Sequence, residues 1–522
     1  VTIYWLGKES YLFQKVFSGG ILGIDGYMVQ VEADVGPGLP GLHLVGYLAS
    51  EVREAQERVR AAIKNSGFRL SPMKITVNVS PADIRKQGTA FDVPIAVAIM
   101  AAYGLVREDQ LRESAFIGEL GLDGSVKPVH GVLSLVSAFR QAGIKRCFLP
   151  CENVCEGTAI EGILIYKVSS LKMLLDGINH PETLTPENHG DRIKRMPSRY
   201  KVDYREVNGQ KLLRRATEVA VAGQHNILYI GPAGSGKSMI AGRIPTIMPP
   251  LTNEEQLEIS KIYSVCGLLP AGESLLSCRP FRSPHHTISP HALTGGGMIP
   301  RPGEVSLASR GVLFLDEFPE FQKRTIEVLR QPLEERRIKL SRVYGCYDFP
   351  AHFMLAAAMN PCPCGFYPDR ERCSCDESQV RHYLGKISRP LMDRIDICVE
   401  ASPMTYRDLQ AGTNNESSAV IRKRVMKAWA VQKKRYRQSD CHFNSDMGQA
   451  EMESYCRLAA ADQEFFGDIC ETMKLSARGC HKILKVARTI ADLEQSALIR
   501  RSHLAEAISY RRLEEKYWGK GV

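Results

Sequence analysis

No stretch of the 522-residue chain is apolar for long enough to cross a bilayer; the longest run, Val93 to Val106, is about a third short. It predicts a buried helix instead. Residues 1–9 lack a basic start, an extended apolar core and a small-residue cleavage site, so no secretory signal is expected and the expected compartment is the cytoplasm, without a membrane partner. Repeats of fixed period and low-complexity tracts are absent. With 44% apolar and 24% charged residues, the composition excludes a collagen, a mucin stalk or a mostly disordered chain. One-sided charge is also scarce: 68 Lys and Arg against 58 Asp and Glu leave +10, which admits an anionic partner without requiring one. Nor is there a disulfide framework, since four of the fifteen cysteines cluster and the rest are scattered. At roughly 150 residues per domain, the length allows three or four domains.

What is present divides into regions of different texture. After an extension at 1–19, residues 20–178 mix short alternating runs with helical stretches and predict an α+β domain. Residues 28–35 and 74–79 alternate with period two, while Val52, Ala55, Val59, Ala62 and Ile63 recur at helical spacing between Glu51 and Ser66, closed by Gly67. Residues 179–204 are polar, carry Pro181, Pro186 and Pro197, and read as a linker. A second domain, α/β, is expected over 205–403, where 226–230, 311–315 and 353–358 are continuous apolar runs suited to strands buried on both faces. Helical periodicity dominates 404–522.

Gly231, Pro232, Ala233, Gly234, Ser235, Gly236, Lys237 and Ser238 follow the first of those runs and fit the P-loop pattern. Their glycines let backbone N–H groups converge on phosphate oxygens at a helix N-terminus. Lys237 is expected to reach the β- and γ-phosphates of ATP, and the Ser238 hydroxyl to ligate Mg²⁺. Asp316 and Glu317 end the second run; Asp316 is expected to hold Mg²⁺ and Glu317 to polarise the attacking water. Asn360 ends the third and either senses the γ-phosphate, holds the water or caps the strand.

This order of motifs resembles an AAA+ ATPase, which implies sites between subunits and an arginine supplied by a neighbour. Arg394 stands where the family carries that finger, with Arg389 in reserve, or the two are structural ion-pair partners. Arg478, in the run Ser476 to Gly479, looks like a sensor-2 arginine reaching the γ-phosphate from a helical lid over 404–522. The segments 279–287, 302–308, 329–334 and 359–365, with 38–46, 58–67 and 78–83, resemble the ComM/YifB family, also called magnesium chelatase-like. The likeness spans about Gly20 to Arg512; the first fifteen or so residues do not match. It implies a ring, expected to be a hexamer, that hydrolyses ATP, acts on single-stranded and branched DNA, promotes branch migration in natural transformation or recombination, and works with recombinase or competence proteins. The alternatives are a chelatase motor subunit remodelling a protein partner, and an ATP-dependent Lon-type protease.

Residues 337–347 alternate as a hairpin should, with Gly345 near its tip, and the resemblance implies that this hairpin faces a pore. Lys339, Arg342, Tyr344 and Tyr347 then offer DNA charge and stacking faces; otherwise it is an edge hairpin with solvated cations. The basic stretch Arg422 to Arg437, with no acid inside it, is a solvated helix face or a DNA contact. Cys362, Cys364, Cys373 and Cys375 form two tight knuckles suited to a structural Zn²⁺, within an insertion at 362–375. His285, His286 and His291 are not expected to bind metal. Residues 20–178 resemble the Lon protease domain, with its ribosomal S5 domain 2-like fold, yet Ala90 falls at the nucleophile position and Leu133 at the catalytic lysine position. Without a Ser–Lys pair the domain is expected to be proteolytically inactive, with Thr89 the only displaced nucleophile to consider.

Overall fold

The computed structural model describes residues 13–187, 200–270, 272–343, 345–403, 415–439 and 441–519. They pack as two units. The first gathers residues 13–187 with Asn253–Leu276 and Lys339–Asp348; the second holds the remainder.

The first unit is built on β1 (Phe13–Leu22), β2 (Asp25–Gly36), β3 (Gly41–Val45), β4 (Lys74–Ser80), β5 (Ser114–Phe116), β6 (Arg146–Pro150) and β7 (Leu164–Val168), in sheet order β3-β4-β2-β1-β5-β6-β7. The β1–β2 and β2–β4 pairs are antiparallel and the others parallel. Alternation along β2 buries Val29, Val31, Ala33 and Val35 in the same core as the helix Asp92–Ala102. Every residue of that helix is buried, the outcome its apolar run requires in water. A second core gathers Leu135 and Phe139 of the helix Val132–Gln141 with Cys147 and Leu149. The helix Asn253–Val265 joins this unit, Gly131 N donating to Ser264 O at 3.1 Å.

Two local expectations are refined here. The helix anticipated over 51–66 is interrupted at Glu54, giving Ser50–Arg53 and Ala55–Asn65; Gly67 then adopts φ +92°, the left-handed geometry that stops a helix. Packing also continues past 178, because Pro181–Thr183 form a turn and Glu187 bridges to Ile165 on β7. Within the expected linker, 188–199 lie outside the described residues.

The second unit has five parallel strands: β8 (Ile227–Ile230), β9 (Phe281–Arg282), β10 (Val312–Leu315), β11 (Met354–Met359) and β12 (Ile397–Glu400). Their order is β9-β10-β11-β8-β12, so β8 lies between the strand that precedes the cysteine cluster and the strand that leads to the C-terminal helices. β8, β10 and β11 are buried along their whole length, as continuous apolar strands in a parallel sheet should be. The helices Ser418–Arg435, Ala477–Leu493 and Arg501–Trp518 share their core with this sheet. Among the described residues no helix is long and apolar enough to cross a membrane.

Candidate active site

The chain leaves β8 through a tight loop and enters the helix Lys237–Ala241. Gly234 and Gly236 adopt φ +74° and +82°, yet nothing lies within 4 Å of a Cβ placed at either. Conformation, not crowding, selects glycine there. Lys237 is 7% exposed and folds back over the loop, Nζ donating to the carbonyls of Gly231 and Pro232, both at 2.7 Å, and to Asn360 Oδ1 at 3.3 Å. Burial lowers its pKa to about 8, against the pull of Asp316.

Ser238 Oγ donates to Asp316 Oδ2 at 2.5 Å, and the Glu317 N–H steadies Asp316 Oδ1 at 2.9 Å. Glu317 sits at φ +50°, a strained position for a side-chain-bearing residue. Its carboxylate meets His286 Nδ1 at 3.1 Å. Lys237, Ser238, Asp316 and Glu317 line a cavity of about 380 Å³ with Met359 and Asn360. Loop N–H groups and Lys237 suit a polyphosphate, and the paired Ser238 and Asp316 oxygens are the hard donors that Mg²⁺ takes. Sequence reasoning missed His286 as the partner of Glu317. A histidine thirty-one residues upstream carries no local signal of that contact.

Arg394 and Arg478 lie elsewhere. They line a different cavity, of about 660 Å³, with Arg336, Lys482 and Lys485, and no lining residue is shared with the phosphate cavity. Arg394 pairs with Glu334 and donates to the Arg330 carbonyl at 3.2 Å, while Arg389 is exposed. Arg478, expected to reach the γ-phosphate from the lid, is exposed on the first turn of Ala477–Leu493, on the Arg394 side. The cause is an anchor one turn further on. Lys482 Nζ meets Asp396 Oδ1 at 3.3 Å, and Asn226 N donates to Asp396 Oδ2 at 3.1 Å. Burial opposes ionisation of Asp396, but Lys482 and His225 hold its carboxyl well below the usual range.

The hairpin forms from Arg337–Arg342 and Gly345–Pro350. Lys339 and Arg342 are exposed, whereas Tyr347, expected to offer a stacking face, is buried. Period-two alternation puts Tyr347 and Phe349 on the covered face and leaves Cys346 and Asp348 outward. Tyr344 lies outside the described residues. On the helix Ser418–Arg435, Arg424 pairs with Glu218 and Glu416 and Arg435 with Asp492, leaving Lys423, Lys427, Lys433 and Lys434 exposed.

The four clustered sulfurs lie within 4.8 Å of one another, with Cys362–Cys364 at 3.3 Å and Cys362–Cys373 at 3.8 Å. A tetrahedral zinc with bonds of about 2.3 Å places sulfurs about 3.8 Å apart, so the set fits. The Tyr367 N–H donates to Cys362 Sγ at 3.4 Å, an orienting bond that ligand sulfurs need. In the first unit Leu133 is fully buried and Ala90 half-buried, so neither position offers a nucleophile or base. Lys86, a buried lysine nearby in sequence, donates to the Ile84 carbonyl at 2.9 Å.

Comparison with known proteins finds matches along most of the chain. Residues 203–409 match the profile described as magnesium chelatase, subunit ChlI; 31–153 match subunit ChlI of Mg-chelatase, and 415–511 the ChlI C-terminal profile. The competence protein ComM of Haemophilus influenzae is 37% identical over 504 residues, covering 95% of this chain and 97% of that protein. An uncharacterized protein, YifB of Salmonella typhimurium, is 39% identical over 504 residues, 96% of this chain and 97% of that one. A Lon protease of Geobacter metallireducens is 29% identical over 153 residues, 28% of this chain and 18% of its own length.

Proposed function

The chain belongs to the ComM/YifB family of magnesium chelatase-like proteins, and from that membership and the geometry of the phosphate cavity we propose that it is a ring-forming, ATP-hydrolysing DNA motor. One observation supports the proposal: the groups assigned here to the γ-phosphate meet in one cavity, while Arg394, the candidate finger, and Arg478 line another. A chain that keeps the halves of a site apart completes it by adding a neighbour.

In this reading the loop amides and Lys237 hold the phosphates, and Asn360 positions the γ-phosphate or its water. Ser238 and Asp316 would hold Mg²⁺, which when bound would supply positive charge to the phosphate oxygens. Glu317 leaves His286 to orient and polarise the water. Arg394, with Arg478 beside it, leaves Glu334 for the transferring phosphoryl group of the adjacent subunit. The proposed polynucleotide contacts are Lys339 and Arg342 on the hairpin and the exposed lysines of Ser418–Arg435. The name competence protein carried by the H. influenzae relative supports DNA as the track and natural transformation or recombination as the setting. Clustered cysteines would hold a structural zinc, and the Lon-like region, without a Ser–Lys pair, acts as a scaffold.

The test is ATP turnover and branch migration on a three- or four-way DNA junction, beside Lys237→Ala. Turnover stimulated by DNA, with affinity falling steeply as salt rises, supports the motor. Equal junction processing by mutant and wild type removes it. DNA-independent turnover that responds to a protein partner favours the chelatase-type alternative that the three profile matches admit.

A further inference from the structure

Two sulfurs that line neither cavity face each other. Cys470 lies in the last turn of the helix Ala460–Thr472 and Cys480 in the first turn of Ala477–Leu493, with Sγ atoms 2.9 Å apart. Both are free and half-buried. The turn between them is fixed at each end. Lys474, at φ +48°, donates to Glu471 O and Leu475 N donates to Cys470 O, each at 3.0 Å, which closes the first helix. Ser476 caps the second, its Oγ accepting from Gly479 N at 3.2 Å. Among the described residues no further ligand joins the two sulfurs, since the one metal-like group is the separate cluster at 362–375. What two opposed thiols offer by themselves is thiol–disulfide chemistry. The segment between the sulfurs carries Arg478.

We propose that Cys470 and Cys480 form a reversible disulfide that clamps the turn bearing Arg478 and slows nucleotide turnover when thiols are oxidised. The atoms must close by about 0.9 Å to reach disulfide length, a side-chain adjustment. The oxidant is a low-molecular-weight disulfide, and the steps balance. Burial and the neighbouring Cys480 push the Cys470 thiol up to about 12, so Cys480 attacks first, losing its proton. It forms a mixed disulfide and releases one small thiolate. Cys470 then attacks the Cys480 sulfur, its proton passing to the second small thiolate as that leaves. Two protein thiols are oxidised, and the reagent is reduced to two thiols that carry both protons. The effect on turnover rests on the role given to Arg478 above; the bond does not.

Full-length protein treated with glutathione disulfide, mapped as non-reduced peptides and assayed in parallel, tests this. The expected result is a linked Cys470–Cys480 peptide and turnover lowered at least about threefold, because a guanidinium that must move each cycle is tethered. Dithiothreitol restores turnover, and Cys470→Ser keeps basal turnover while losing sensitivity to the reagent. Absence of the linked peptide after the exposed Cys151 and Cys346 have been glutathionylated overturns the bond. Unchanged turnover in fully linked protein overturns the regulation. If untreated protein shows no turnover, the motor reading falls, and the linked peptide still decides the bond.

Discussion

Lys237 donates to the Gly231 and Pro232 carbonyls, contacts that β- and γ-phosphate oxygens would replace. Its pKa of about 8 sets a sign. Above that pH the buried amine has lost its proton, and a polyphosphate draws one back; nucleotide binding at pH 8.5–9 therefore takes up a proton and weakens as pH rises further. Calorimetry in buffers of different ionisation heat measures this, and heats independent of buffer at that pH contradict it. Lys237→Ala is expected to lower turnover by about two orders of magnitude or more, and Glu317→Gln to do so while retaining nucleotide binding, checked by steady-state turnover beside a binding assay. Most of this chemistry was legible in the sequence, because a P-loop and a strand-end acidic pair are contiguous runs whose neighbours determine their geometry. The His286 contact was not, because it depends on where β9 lies beside β10. The buried side of Tyr347 follows from alternation along its strand, but only once the covered face is known.

At the scale of elements, the Asp396–Lys482 pair ties the start of β12 to the helix that begins beside Arg478. Asp396→Ala leaves a largely buried ammonium without its partner and is expected to cost about 3–5 kcal/mol, read as a lower denaturation midpoint. Because the folded carboxyl titrates below its unfolded value, its stabilisation is complete above the unfolded pKa and is lost as pH falls from about 4 downward. The cysteine loop directly follows β11 and Asn360, so a zinc bound there would stiffen the strand end that lines the phosphate cavity. A chelator is expected to lower the melting temperature, and Cys373→Ser to reproduce the shift; no zinc by elemental analysis and an unmoved curve contradict it. Strands β2, β4, β8, β10 and β11 were readable from apolar runs and alternation; the other strands of the two sheets were not. The opposed sulfurs of Cys470 and Cys480, ten positions apart, were not, because only a helix–turn–helix geometry brings them together.

For the whole molecule, sequence order and packing diverge. Asn253–Leu276 and Lys339–Asp348 lie in the sequence within the stretch expected to be the ATPase core, yet they pack with the N-terminal unit. No local pattern announces that, since it is decided by which apolar faces meet. The family resemblance implies that Arg394 lies away from its own phosphate cavity, but the placement of Arg478 beside it was invisible in one dimension, and the separation of both is the basis for proposing catalysis between subunits. Mixing two inactive variants tests that claim most directly. Lys237→Ala keeps the arginines and Arg394→Ala keeps the phosphate loop, so in randomly mixed rings about a quarter of the seams unite an intact loop with an intact arginine. The account predicts that equal mixing restores up to about a quarter of wild-type ATP turnover. Turnover of the mixture no greater than the average of the two variants assayed alone, in rings shown to exchange subunits, would contradict it.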